Sequence, residues 1–327
     1  MKIAIDVMGG DHLPHELIEG VKRILAEHKH VSFILVGDQE KIIPYIDRSH
    51  SQVEILHTDV SVSPEEEPSK AIRMKTSSMN LAIACVKNKQ ADAMISAGNT
   101  GAFMACGLFN AGRIPGVERP ALAPILPTID HKGVLVLDVG ANVEAKPEHL
   151  LQYAKMGEVY AATIMKKEQP RIGLLNIGSE AKKGTAVVKE TYTQLQQSSL
   201  HFTGNVEARD VLFGVCDVLV TDGFSGNIFL KSVEGMASVL FTILKTEVTK
   251  TTSRKIGAAL LKPAFKEVKN RLDYTEYGGA PLLGLQHTLV KAHGSSDAKG
   301  IEKTILQTMS LVEQRVTETI ASHFSQD

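Results

Sequence analysis

Short continuous apolar runs alternate along this chain with stretches whose apolar residues recur every three or four positions. The runs are Lys2–Val7, Val31–Val36, Val53–His57, Ala91–Ser96, Val134–Val139, Arg171–Ile177 and Val218–Thr221. They are rich in Ile, Val and Leu on consecutive positions, as strands covered on both faces require. Between them the spacing predicts helices over Pro14–Glu27, Ser69–Lys87, Pro147–Lys166 and Gly226–Thr249. Ser69 suits an N-cap and Pro147 a first helical turn. Strand–helix alternation of this kind predicts α/β architecture, with a largely parallel sheet and helices on both sides.

The strand ends share a second pattern. Met8-Gly9-Gly10-Asp11, Ser96-Ala97-Gly98-Asn99-Thr100-Gly101, Asp138-Val139-Gly140-Ala141-Asn142, Asn176-Ile177-Gly178-Ser179-Glu180 and Thr221-Asp222-Gly223-Phe224-Ser225-Gly226-Asn227 all follow predicted strands. Open α/β sheets bind ligands beyond the carboxyl ends of their strands. Five such loops on one edge would surround a polar crevice. Gly and Asn also serve turn geometry, but the Asp, Ser, Thr and Asn spread across the five loops exceed that need. Asn99-Thr100-Gly101 is expected to open a helix over Ala102–Asn110, and Ser225-Gly226-Asn227 the long helix that follows. Helix N-termini attract anions, and glycine lets backbone approach them closely.

Composition narrows the class. The chain has 327 residues, 43% hydrophobic and 22% charged, with a net charge of −1. A chain of this length buries roughly 75% of its unfolded surface. It is read as one unit over residues 1–327, and nucleic acid is not an expected partner. Cys85, Cys106 and Cys216 form no Cys-x-x-Cys pair and read as buried apolar residues in a reducing compartment. No secretory leader is visible, and no run of eighteen apolar residues suggests a membrane span. The P-loop, the dinucleotide fingerprint and His-Glu-x-x-His are all missing from the sequence, so neither metal nor cofactor is expected.

Individual residues then divide into candidates. Lys183, in Ser179-Glu180-Ala181-Lys182-Lys183-Gly184, could neutralise phosphate or a developing oxyanion. Arg73 and Lys75 fit a solvated helix face better than an anion site. His293 ends another apolar run, where a histidine is more often structural. Gly223-Phe224-Ser225-Gly226 imitates a nucleophile elbow, but Asn227 stands where that motif needs glycine. A triad of Ser225 with Asp273 or Asp297 and His287 or His293 is the weaker alternative.

One segment is strongly basic. Lys245, Lys250, Arg254, Lys255, Lys262, Lys266, Lys269 and Arg271 face only Glu247 and Glu267. Eight cations against two anions leave this segment at +6. Pro263 is expected to break a helix there. Residues 245–275 therefore read as a protruding helical hairpin whose elbow carries Ile256, Leu260, Leu261 and Phe265. Such an elbow suits either an anionic membrane surface or a dimer interface.

Taken in order, these strings resemble the PlsX family of bacterial phosphate acyltransferases. The resemblance includes Asp6 to Asp11, Ser96 to Ala102, Asp138 to Asn142, Asn176 to Gly184 and Thr221 to Asn227. It closes with Gly278-Gly279-Ala280-Pro281-Leu282-Leu283-Gly284 and His293-Gly294-Ser295-Ser296. It implies a three-layer α/β/α fold similar to isopropylmalate dehydrogenases and phosphate acetyltransferases. It implies acyl transfer from acyl carrier protein to inorganic phosphate, giving acyl phosphate for a membrane glycerol-3-phosphate acyltransferase. A homodimer in the cytoplasm, touching the inner membrane face, is also implied. Lys183, the lysine before Gly184, fits the family pattern better than Lys182.

Lys183 and Asn227 are the expected catalytic pair. Asp6, Gly10, Ser96, Gly98, Asn99, Thr100, Asp138, Asn142, Ser179, Asp222, Ser225 and His293 are expected around the phosphate and thioester. The three aspartates are expected to orient Lys183 and the loops. A coenzyme A-dependent phosphate acetyltransferase, a dehydrogenase of the same fold and a non-enzymatic lipid-surface scaffold are the competing readings.

Overall fold

The computed structural model describes residues 1–11, 14–47, 50–272 and 274–325. Asp273 lies outside that range, and so does the side chain of Lys269. In chain order the elements begin with β1 (Lys2–Asp6), α1 (His15–Glu27), β2 (Ser32–Gly37), α2 (Gln39–Ile42) and β3 (Val53–His57). Next come α3 (Pro68–Ala71), α4 (Ser78–Lys87), β4 (Ala93–Ser96) and α5 (Thr100–Cys106), which runs into a π-turn over Gly107–Ala111. Then follow β5 (Ala121–Leu122), β6 (Ile125–Leu126), β7 (Val134–Leu137), α6 (Pro147–Thr163), β8 (Ile172–Asn176), α7 (Ala186–Gln197), β9 (Phe202–Glu207) and β10 (Val218–Val220). The chain continues with α8 (Gly223–Val248), α9 (Thr252–Leu260), α10 (Lys262–Leu272), β11 (Ala280–Leu283), β12 (Thr288–Lys291), α11 (Ala298–Glu313) and α12 (Val316–Phe324).

All seven predicted strands form, but they do not share one sheet. The first sheet runs β3-β2-β1-β4-β12-β11-β5 and the second β6-β7-β10-β8-β9. Pairing is mostly parallel; β11 is antiparallel to both its neighbours, and β6 to β7. The expectation of five loops on one edge is therefore corrected. The loops after β1 and β4 belong to the first sheet, and those after β7, β8 and β10 to the second.

Alternation along the strands builds the layers. Ile3 and Ile5 of β1, Leu35 of β2, Leu135 and Leu137 of β7 and Ile172 of β8 join α1, α6, α11 and α12 in one apolar cluster. Ala4, Ile34, Val136 and Leu219 point the other way, into a cluster with Met79 and Ile83 of α4 and Phe103 of α5. The helix-sheet-helix sandwich follows directly. Leu17, Ile18, Val21, Ile24 and Leu25 give α1 its buried stripe. Phe103 is fully buried, so Phe103→Ala would cost about 3–5 kcal/mol. The three cysteines are buried too.

Two helix expectations need correction. Ser69–Lys87 is two helices: Glu67, not Ser69, stands at the cap position before α3, with Pro68 as the first helical residue. Ser77 then caps α4 by accepting from the Asn80 N–H, and the Asn80 amide donates to the Ala71 and Met74 carbonyls. These side-chain bonds satisfy the turn between the helices and so favour the break. The long helix starts at Gly223, three residues early, because Asp222 caps it through the Ser225 N–H at 2.8 Å.

The basic segment holds three helices in succession. α8 is 26 residues long, and only Gly223, Gly226 and Phe229 are buried. By length and composition it is apolar enough to cross a membrane. Lys231, Glu234 and Lys245 interrupt its apolar residues without making the helix polar on average. α9 and α10 are separated only by Leu261, and Pro263 sits in the first turn of α10, where proline is tolerated. Glu247 pairs with Lys250 and Arg254, and Glu267 with Arg271. Ile256, Leu260 and Leu261 are exposed and Phe265 is half-buried.

Candidate functional site

The end of β1 meets the end of β4 through two glycines. A Cβ on Gly9 would lie 2.5 Å from the Gly98 nitrogen, so the two loops pack backbone to backbone. Beneath them Asp6 is buried and accepts from Ser96 Oγ at 2.7 Å and from the Met8 N–H at 3.1 Å. Burial pushes the Asp6 carboxyl above the usual range, against hydrogen bonds and the nearby Lys291 charge. Ser96 Oγ also accepts from the Gly98 N–H at 3.1 Å. Gly10 has φ +122°, backbone that favours glycine.

Asn99 faces its own chain. Its Oδ1 caps α5 at the Ala102 N–H, and its amide donates to the carbonyls of Pro64 at 2.8 Å and Glu66 at 3.1 Å. It thereby ties the acidic turn over 63–68 to the end of β4.

In the second sheet Asp138 performs the corresponding task. Its carboxylate accepts from the N–H groups of Leu122, Gly140, Ala141 and Asn142 and from the Asn142 amide. Burial raises its pKa, and those donors oppose the rise. The Asn142 amide also reaches the Pro120 carbonyl at 2.7 Å and Tyr153 Oη at 2.9 Å. Against this loop lies the first turn of α8. A Cβ on Gly226 would sit 1.9 Å from the Asp138 carbonyl oxygen, and one on Gly223 2.5 Å from that of Asn142. Gly140, at φ +140°, faces Asn227, whose Cβ would be 3.9 Å from a Cβ there.

The two sheets contribute to one cavity of about 170 Å³. Thr100, Lys291 and His293 come to it from the first sheet and its loops, and Asn227 and Leu230 from α8. Leu122 and Val139 give it an apolar wall. His293 Nδ1 contacts Ser295 Oγ at 2.8 Å and accepts from the Ser295 N–H at 3.3 Å. Burial pulls the His293 pKa down.

The expected residues thus separate into three groups. Thr100, Asn227 and His293 line the cavity. Asp6, Gly10, Ser96, Gly98, Asn99, Asp138, Asn142, Asp222 and Ser225 build the loops around it. Lys183 and Ser179 stand apart, exposed in the loop after β8, the strand beside β10. Lys183 lays its stem over Gly178, with Cγ 3.4 Å from where a Cβ would be. Its N–H donates to the Glu180 carbonyl, and its carbonyl accepts from the Asn176 amide. The aspartates make their hydrogen bonds within the loops rather than to Lys183. The Ser225 backbone N–H donates to the Asp222 cap of α8, and Asp297 caps α11 by accepting from the Gly300 N–H.

Lys291 is the residue that sequence reasoning missed. The only signal was a lysine directly after the apolar Leu289-Val290 and before Ala292-His293-Gly294. Among the described residues no cluster of His, Cys, Asp and Glu is arranged to hold a metal ion.

The fold and the sequence both have known counterparts. A phosphotransacetylase from Streptococcus pyogenes superposes with a TM-score of 0.63 at 16% identity, over 96% of this chain and 94% of that one. A branched-chain phosphotransacylase from Enterococcus faecalis gives 0.59 at 16% identity, over 95% and 99%. These fix the fold alone. The phosphate acyltransferase of Halalkalibacterium halodurans is 51% identical over 321 residues, 98% of this chain and 95% of that protein. The phosphate acyltransferase of Bacillus licheniformis is 49% identical over 327 residues, 100% and 99%. The family model described as fatty acid synthesis protein matches residues 1–319, and with these relatives it establishes that the chain belongs to the PlsX family.

Proposed function

We infer that this chain transfers an acyl group from a thioester to inorganic phosphate in fatty acid and phospholipid synthesis. The observation that carries the reading is 51% identity, over 98% of the chain, to a phosphate acyltransferase. The geometry supports it. Phosphate is itself the nucleophile, so the protein need only hold two reactants in attack geometry. A small cavity with a polar floor and an apolar wall suits a phosphate group beside the carbonyl end of an acyl chain.

The thioester carrier in this reading is acyl carrier protein, and the product goes to a membrane glycerol-3-phosphate acyltransferase. Asn227, on the cavity rim, and Lys183, in the loop after β8, stabilise charge on the phosphate or on the tetrahedral oxygen. The decisive assay measures thiol release from acyl carrier protein thioester and from acyl-coenzyme A, each with and without phosphate. Phosphate-dependent release from the carrier-protein thioester is expected. Release without phosphate, or from coenzyme A alone, rejects the reading. Lys183→Ala and Asn227→Ala are each expected to slow turnover on the order of 10²–10³-fold.

The assembly is a homodimer in the cytoplasm that touches an anionic membrane. Met236, Val239, Leu240 and Ile243 of α8 are all exposed in a single chain, and a second copy packing along α8 would remove them from water. Leu260, 79% exposed, and Leu261 lie among the cations of α9 and α10, an arrangement suited to anionic lipid. Sedimentation of the purified protein as a monomer at micromolar concentration would reject the dimer.

A further inference from the structure

Lys291 ends β12 with its side chain inside the protein, only 7% exposed. An ammonium removed from water is unfavourable unless other groups compensate it. Compensation here is incomplete. An ammonium has three N–H donors, and among the described residues Lys291 Nζ has one acceptor, the Ala292 carbonyl. The carboxylates of Asp6 and Asp11 favour its charge, and Lys231 opposes them. Neither carboxylate forms a salt bridge with it, and Asp6 is already engaged by Ser96 and Met8. Lys291 also lines the cavity it shares with Asn227, His293 and the ion pair of Lys231 and Glu234. A buried ammonium with two N–H donors unused among the described residues, on the wall of a cavity, is a site for an anion.

We propose that the Lys291 ammonium binds the phosphate group directly, holding the attacking anion and then the acyl phosphate, while Leu122, Val139 and Leu230 contact the first methylenes of the acyl chain. The assignment rests on the acyl-transfer reading. A phosphate oxygen attacks the thioester carbonyl carbon; the new C–O bond forms and the C–S bond breaks. Sulfur leaves with the electron pair as thiolate and takes up the proton that hydrogenphosphate gives up. Lys291 keeps its own proton throughout. Burial lowers its pKa to about 8, so the ammonium form predominates at neutral pH.

The test uses full-length wild type, Lys291→Met and Lys291→Arg, with phosphate varied against acyl carrier protein thioester. Lys291→Met is expected to lower kcat/KM for phosphate on the order of 10²-fold. The KM for the thioester should move by no more than about threefold, and the circular dichroism spectrum should not change. Lys291→Arg, which keeps the charge, should recover part of the loss. Phosphate kcat/KM within about threefold of wild type in Lys291→Met overturns the assignment.

A second measurement does not depend on a folded variant. Wild-type crystals soaked in tungstate, a heavy tetrahedral dianion, should show an anomalous peak within hydrogen-bond reach of Lys291 Nζ. A peak elsewhere and none here overturns the assignment as well. If wild type releases no thiol with phosphate, the acyl-transfer reading falls, and the soak still decides whether Lys291 holds a tetrahedral anion.

Discussion

The two ends of α8 meet opposite surroundings. In its first turn Gly223 and Gly226 touch the loop after β7, and a Cβ on either would collide with backbone oxygen. Further along, a Cβ on Gly235 would have nothing within 4 Å, and Met236, Val239, Leu240 and Ile243 face outward. Glycine is required at one end and merely present at the other. The first turn is fixed by fit to the site. The body carries apolar surface that the protomer itself does not cover.

Gly226→Ala is the strongest way to break that contrast. The first turn must move away from Asp138, with a stability loss of about 1–3 kcal/mol in a urea melt. Displacing Asn227 by an ångström should lower thiol release on the order of 10²-fold. A variant as active and stable as the parent removes the argument from fit.

At the exposed end, replacing Leu260 and Leu261 together by Glu should leave thiol release unchanged. Burying two leucines in lipid is worth about 3 kcal/mol or more, so affinity for anionic vesicles should fall on the order of 10²-fold. Flotation of the variant with vesicles, undiminished, rejects that contact.

Asp222→Ala removes the cap on the first turn and should cost about 1 kcal/mol, read as a lower thermal midpoint. Gly235→Ala is the smallest change and the most informative about the exposed face. Alanine in an open helix interior should stabilise by roughly 0.5–1 kcal/mol. A loss instead, or a change in sedimenting mass, would show that a second copy packs there.

Much of the fold was legible because buried parallel strands announce themselves as runs of Ile, Val and Leu. The division into two sheets was not, because β5 and β11 of the first and β6 and β9 of the second lack that signature. β5 and β6 are two residues each, β9 contains Gly204 and Asn205, and β11 contains Pro281. Missing β12 also hid Lys291: a charged residue is rarely inside, and without the strand nothing pointed its stem inward. Asn99 and Asn142 were read as ligand groups because asparagine in a glycine loop suits both roles. Their amides brace the loops. Asp222 three residues before the Ser225 N–H was a readable cap, and it would have started α8 correctly.

The layers on either side of the sheets have one more consequence. Each draws side chains from both sheets, with Ile5 and Leu137 in one and Ile34 and Val136 in the other. Neither sheet keeps a private interior, so neither has a reason to survive the loss of its companion. On heating, the molecule should melt in a single cooperative step, with calorimetric and van't Hoff enthalpies in agreement.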